Sequence, residues 1–203
     1  MPLLPQVLDA MRAAATRDSS DFVNDVLFAT PPFAFRSRPA EYDEFRAEVS
    51  ERLGVEMESV EIVGSGRLGF SLNPEHLLSA FGSRSDIDLV IVSSPAFDSA
   101  WEEMLANADS IALANEDERR RFKRTRENFF QGYLRPDHVP LSTFLGREWF
   151  PKLSTRFVSK VARMHDVHGW LFKSMVHARS FYEGNVTRVR DNIRHMLELR
   201  GDL

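Results

Sequence analysis

The stretch SVEIVGSGRLGFSLNPEHLLSAFGSRSDIDLVIVS, Ser59 to Ser93, holds two apolar runs separated by a glycine-rich connection. Ser59 to Val63 reads as a strand that ends at Gly64, and Ile87 to Ser93 reads as a nearly continuous apolar strand, the pattern of a strand buried on both faces. Side chains two apart on a strand share a face, so Asp86 and Asp88 present two carboxylates side by side while Ile87 and Leu89 face the other way. Two like charges that close repel. A divalent cation is the usual compensation, and oxygen-only ligands select Mg2+ or Mn2+ over zinc. Upstream, Gly64-Ser65-Gly66 at a strand end supplies backbone N–H groups that can approach a phosphate closely, because glycine has no Cβ. The connection between the strands contains Gly66, Gly69, Pro74 and Gly82, which leaves room only for a short helix around Glu75 to Ala80. A connection of that length usually serves a function.

Outward from this block the chain is mostly helical. Leu4 to about Ala29 reads as two helices with a break near Arg17 to Ser20, and Ala40 to Leu53 as a helix stopped by Gly54. Beyond the second strand, Phe97 to Ala108 and Glu116 to Gln131 are expected as helices, then a break at Gly132 to Asp137. Thr143 to Val161 is expected to be helical with an interruption at Pro151. VHGWLFKS, Val167 to Ser174, is expected as a third strand, and Val176 to Leu199 as a helix hinged near Gly184. No internal repeat or low-complexity segment is present.

The motif GSGRLGFSLNP followed by SDIDLVIV resembles that of the DNA polymerase beta-like nucleotidyltransferase superfamily: an apolar strand, Gly-Ser, a connection, and Asp-x-Asp on a second apolar strand. The resemblance covers roughly Val60 to Trp101. It implies that Gly64 and Ser65 hold the phosphates of a nucleoside triphosphate and that Asp86 and Asp88 bind Mg2+ or Mn2+. It also implies transfer of a nucleoside monophosphate to an acceptor, with release of pyrophosphate. The gap from Ser65 to Asp86 is longer than that family usually shows, so a loop is inserted around Phe70 to Ser83. The family's third carboxylate has no counterpart within VHGWLFKS, and Asp166 is the nearest candidate. The candidate set is therefore Asp86 and Asp88 as catalytic residues, with Asp166 as a third metal ligand, and Gly64, Ser65, Gly66, Arg67, Ser85 and Lys173 as nucleotide-binding residues. Arg67, Arg84 and Lys173 each offer charge to a triphosphate. A second reading keeps the fold and makes it a nucleotide-binding regulatory module without turnover. Stand-alone members of the superfamily occur in toxin–antitoxin and phage-defence pairs, which brings in a protein partner.

Gly64 to Gly69 also satisfies G-x-G-x-x-G, but Pro74 interrupts the helix that a dinucleotide site would open, and the acidic residues begin the second strand rather than close it. Arg190 to His195 matches the R-x4-H pattern of HEPN ribonucleases, a short pattern that arises easily on a charged helix. His165 and His168 lack a supporting carboxylate pattern for zinc and read as ordinary histidines. Arg119 to Arg126 reads as an exposed face laced with salt bridges, and Phe129, Phe130, Tyr133, Trp149 and Phe150 as core.

Composition sets outer bounds. With 43% apolar and 28% charged residues in 203, the chain is globular and long enough for one domain with its own core. The absence of cysteine excludes disulfides, thiolate metal sites and a cysteine nucleophile. A net charge of −4 argues against a nonspecific duplex-DNA binder, whose affinity comes from phosphate neutralisation. The first twenty residues lack a basic start and a long apolar stretch, and no membrane-spanning run occurs, so a cytoplasmic protein is expected. Together these readings predict an α/β fold, a small mixed sheet flanked by helices: residues 1–55 a helical extension, 56–175 the core, 176–203 the C-terminal helices.

Overall fold

The computed structural model describes residues 4–112 and 115–203. Four strands form one mixed sheet: β1 (Val60–Val63), β2 (Ile87–Val92), β3 (Tyr133–Leu134) and β4 (Val167–Phe172), in the order β1-β2-β4-β3. Strands β2 and β4 are parallel, and the two outer pairs are antiparallel. The helices are α1 (Pro5–Thr16), α2 (Ser19–Phe22), α3 (Ala40–Leu53), α4 (Gly64–Leu68), α5 (Ser94–Ala106), α6 (Ala108–Ala112), α7 (Glu116–Phe130), α8 (Phe150–Ser154) and α9 (Met175–Arg200). The fold is α/β, as expected, and the antiparallel pairing of β1 with β2 rules out a dinucleotide-binding βαβ unit, in which those strands run parallel.

The apolar run of β2 has a core on each side. Ile87, Leu89 and Ile91 point with Val60, Ile62, Val167 and Leu171 into a cluster that includes Phe45, Val49 and Leu53 of α3. Val63, Val90 and Phe172 face the opposite way, onto α1 and α9. Helix α9 buries Ala178, Tyr182, Val186, Val189, Ile193 and Leu197, a stripe at helical spacing. Hydrogen bonds tie it to the N-terminal helices, among them Ser19 Oγ with Thr187 Oγ1 at 2.7 Å and Arg194 Nη2 to the Ala15 carbonyl at 2.9 Å. Helices α1, α2 and α9 thus form one helical layer over the face of the sheet that carries the carboxylates, while α3 packs on the other face.

Several expectations are corrected. Helix α9 runs unbroken through Gly184, where an added Cβ would meet nothing within 4 Å. A lone glycine on an exposed helix face costs about 1 kcal/mol without forcing a hinge. The helix expected up to Val161 ends at Ser154, because Arg52 reaches over from α3 and bonds the carbonyls of Lys152, Thr155 and Arg156, taking up the acceptors a helix end leaves open. The short helix around Glu75 to Ala80 is reduced to a single 3-10 turn, Pro74–His76. Its segment folds instead as a flap closed by Leu78 N–H to Ser71 O and Phe81 N–H to Gly69 O, both 2.9 Å, and anchored by buried Phe70 and Leu78. Of the aromatic residues expected in the core, Trp149 is buried, whereas Phe130 is 96% exposed and Phe150 38% exposed, each at a helix end. Among the described residues no helix is long and apolar enough to cross a membrane.

Candidate functional site

Asp86 stands just before β2 and Asp88 is its second residue; in register, Asp88 lies between Val63 of β1 and His168 of β4. The chain leaves β1 through Gly64, at φ +59°, and turns at once into α4. A Cβ at Gly64 would lie 3.2 Å from Asp88 Oδ2, so the turn is packed against that carboxylate. The loop before β2 is held by Ser85, whose hydroxyl accepts from Gly82 N–H at 3.0 Å and whose carbonyl lies 2.6 Å from His165 Nδ1.

Gly64, Ser65, Ser85, Asp86 and Asp88 together line one cavity of about 930 Å3. The 71–85 flap forms one wall. Trp170 of β4 and Phe181, Tyr182, Asn185 and Arg188 of α9 form the other. The Trp170 ring is backed by the Arg135 guanidinium, 4.7 Å from its centroid, and Arg135 is itself forked onto Asp137 at 2.7 and 3.1 Å. Arg84 and Arg188 are exposed at the cavity, with no hydrogen bond or ion pair from their side chains among the described residues.

Burial pushes the Asp88 carboxyl above the usual carboxylate range; His168 opposes this and Asp86 adds to it. Its neighbour Tyr182 is held protonated well above its ordinary value, first by burial and then by the Asp88 charge. Asp88 accepts no hydrogen bond among the described residues, and the imidazole of His168 stands near Asp86, Nε2 to Oδ2 3.7 Å. A carboxylate pair that is partly desolvated and otherwise uncompensated is a ready acceptor for positive charge. Mg2+ usually takes only one or two carboxylates from a protein and the rest of its shell from phosphates and water, so this donor set fits an ion that arrives with a triphosphate. Among the described residues no group of three or more His, Asp or Glu side chains is arranged to hold a metal by itself.

Four of the expected site residues stand elsewhere. Arg67 is buried and turned away from the cavity: it donates to the carbonyls of Ile62 and Thr30 and pairs with Glu61. Its charge is spent inside the fold. Gly66 is packed under Ile62, 3.1 Å from where its Cβ would sit, and does not line the cavity. Lys173 follows the far end of β4 and binds Asp98 at 2.7 Å. Asp166 lies in a neighbouring groove with Asp86 but not in the cavity with Asp88, and its carbonyl accepts from Ile87 N–H. The R-x4-H pair does not converge: Arg190 is bonded to Ser19, while His195 is exposed.

Trp170, Asn185 and Arg188 line the cavity without having been expected there, and His168, read from the sequence as an ordinary histidine, stands beside Asp88 in the register. The signal for His168 was its place in the third strand, where the resemblance calls for a carboxylate. Nothing local marks the α9 residues, which long-range packing brings to the cavity. No family model matches the chain, and no curated protein or solved structure matches it.

Proposed function

We propose that the cavity binds a nucleoside triphosphate with Mg2+ or Mn2+ at Asp86 and Asp88 and that the protein transfers its nucleotidyl group to an acceptor hydroxyl. The observation that supports this reading is the meeting of Asp86, Asp88, Gly64 and Ser65 around one cavity large enough for a nucleotide. In the reaction the acceptor O–H loses its proton to solvent and its oxygen bonds to the α-phosphorus. The bond from that phosphorus to the bridging oxygen breaks, and pyrophosphate leaves. The bound ion would supply charge neutralisation between the carboxylates and the triphosphate. Gly64 and Ser65 let the phosphates approach the chain closely, Arg84 and Arg188 draw in and offset their charge, and Trp170 and Asn185 give the base an aromatic edge and an amide. Catalysis would then rest on positioning and electrostatics.

A second reading is nucleotide capture without turnover, favoured by one observation: the residue beside Asp88 on β4 is His168 where the resemblance calls for a carboxylate. One experiment separates the two. The protein and an Asp86→Ala/Asp88→Ala variant are incubated with each labelled nucleoside triphosphate and Mg2+ or Mn2+, and binding and pyrophosphate release are followed together. Release that falls by about 100-fold or more in the variant supports transfer. Carboxylate-dependent binding with no release, across metals and acceptors, supports capture. Absence of metal-dependent binding would sink both.

A further inference from the structure

A second groove, of about 490 Å3, adjoins the cavity and shares Ser83 to Asp86 with it. Its floor is the start of β4 with His165 and His168, and its far wall is the chain from Phe150 to Arg163. Three arginines line it, Arg84, Arg156 and Arg163, all exposed and none with a side-chain hydrogen bond or ion pair among the described residues. Against them stand Asp86, committed to the first cavity, and Asp166. In a chain of net charge −4, three unpaired guanidinium groups in one groove are a local reversal of sign. Apolar surface accompanies them: Phe150 is 38% exposed and Met164 is 67% exposed.

The wall is built to stay in place. Glu48 accepts Val158 N–H at 2.9 and 3.1 Å, Glu41 accepts Lys160 N–H at 3.1 Å, and Arg52 holds the carbonyl of Arg156. These bonds pin the backbone around Arg156 and Arg163 from inside and leave both side chains free to meet a ligand. Guanidinium groups that fork onto phosphate, beside an aromatic ring that can stack a base, are what a single-stranded nucleotide chain requires. Asp86 lines both spaces, so a molecule in the groove can reach the carboxylate beside which the proposed function puts the triphosphate.

We infer that this groove is the acceptor site and that the acceptor is nucleotidic, a hydroxyl flanked by phosphate, offered by the end of a single-stranded oligonucleotide or by a free mononucleotide. The inference rests on the nucleotidyl-transfer reading of the cavity, with the acceptor hydroxyl losing its proton to solvent and pyrophosphate leaving as its oxygen bonds phosphorus.

The test uses the whole protein, an Arg156→Ala/Arg163→Ala variant and an Arg163→Glu variant. Fluorescence anisotropy follows a fluorescein-labelled single-stranded RNA pentamer, and a fluorescent nucleoside triphosphate with Mg2+ is titrated in parallel. The groove reading expects the pentamer to bind about tenfold more weakly to the double variant, with a log–log salt slope shallower by about 1.4, two phosphate contacts at about 0.7 each. Triphosphate binding should stay within about twofold, as neither arginine lines the cavity. Unlabelled AMP that displaces the pentamer at concentrations near its own affinity identifies the mononucleotide as the source; displacement only by longer strands identifies the strand end. Pentamer binding unchanged in both variants overturns the proposal, as does intact triphosphate binding without any pentamer binding, an outcome that leaves the cavity reading standing. Loss of triphosphate binding by the unmodified protein, with pentamer binding retained, overturns the cavity reading and with it the groove's role as acceptor site.

Discussion

Two clusters of charge arise from the same 35 residues and end in opposite circumstances. Glu61 and Arg67, on β1 and α4, are knitted into a network: Arg67 reaches two carbonyls and the Glu61 carboxylate, Tyr42 donates to Glu61 at 2.9 Å, and Arg46 approaches it at 3.6 Å. Asp86 and Asp88, further along the sheet, line an open cavity, and among the described residues the one close basic group is His168, 3.7 Å from Asp86. In the first cluster every charge has found a partner within the fold, so it acts as structure. In the second no such partner closes the arrangement among the described residues, and under the proposed function a ligand brings the balancing charge. Unsatisfied valence, rather than the mere presence of charge, separates a site from a scaffold.

The largest effect expected from breaking this contrast is on stability. Arg67→Met keeps the volume of a side chain that is 4% exposed but removes the donors to Ile62 and Thr30 and the partner of Glu61. Burial holds the Tyr42 phenol protonated, its pKa pushed up to about 12, so Tyr42 and Arg46 still reach Glu61 and soften the loss. Urea unfolding should show a loss of roughly 3 kcal/mol, in the range for removing one partner of a buried pair. A loss under about 1 kcal/mol would mean that Arg67 is not a structural residue.

A smaller effect is expected at the turn between the clusters. Gly64→Ala puts a Cβ on a residue at φ +59° and 3.2 Å from Asp88 Oδ2. Gly54→Ala, at φ +69° with nothing within 4 Å, meets the same backbone strain in open space. Each should cost about 1 kcal/mol of stability. Only Gly64→Ala should also weaken Mg2+-dependent nucleotide binding, by about tenfold, since only there does the new methyl displace a carboxylate. Equal binding by the two variants would remove Gly64 from the site.

The parts of this arrangement that were legible in the sequence are those written locally. The apolar run of β2, Gly54 at the end of α3 and Asp86-x-Asp88 each declare themselves within a few residues, through periodicity or glycine's freedom at positive φ. Arg67 misled because the motif places it beside Gly64 and Ser65, while the first turn of α4 rotates it to the opposite side, toward Glu61. Lys173 misled for a directional reason. Strand β4 runs parallel to β2, so its start lies by the carboxylates, and Lys173 sits five residues beyond His168, about 16 Å along the strand. His168 could be given its place only once the register set it beside Asp88. Asn185 and Arg188 had no local signal, because α9 reaches the cavity only by packing on α1 and the sheet.

The smallest expected effect has the opposite sign and bears most directly on the carboxylate pair. Burial raises the Asp88 carboxyl above its value in the unfolded chain, so over the pH interval between the two values the folded state binds more protons than the unfolded one. Stability contributed by that proton is present at low pH and is lost as pH rises through the folded value. At neutral pH Asp88 therefore carries an electrostatic cost in the absence of a cation. Asp88→Asn, which removes the charge at nearly constant shape, should raise stability by roughly 1 kcal/mol at pH 7, and the gain should vanish in acid. The same substitution should weaken Mg2+-dependent nucleotide binding, and Mg2+ with nucleotide should stabilise the unmodified protein more than the variant. A variant less stable at pH 7 would mean that Asp88 is satisfied inside the fold as Glu61 is, and the two clusters would then be of one kind.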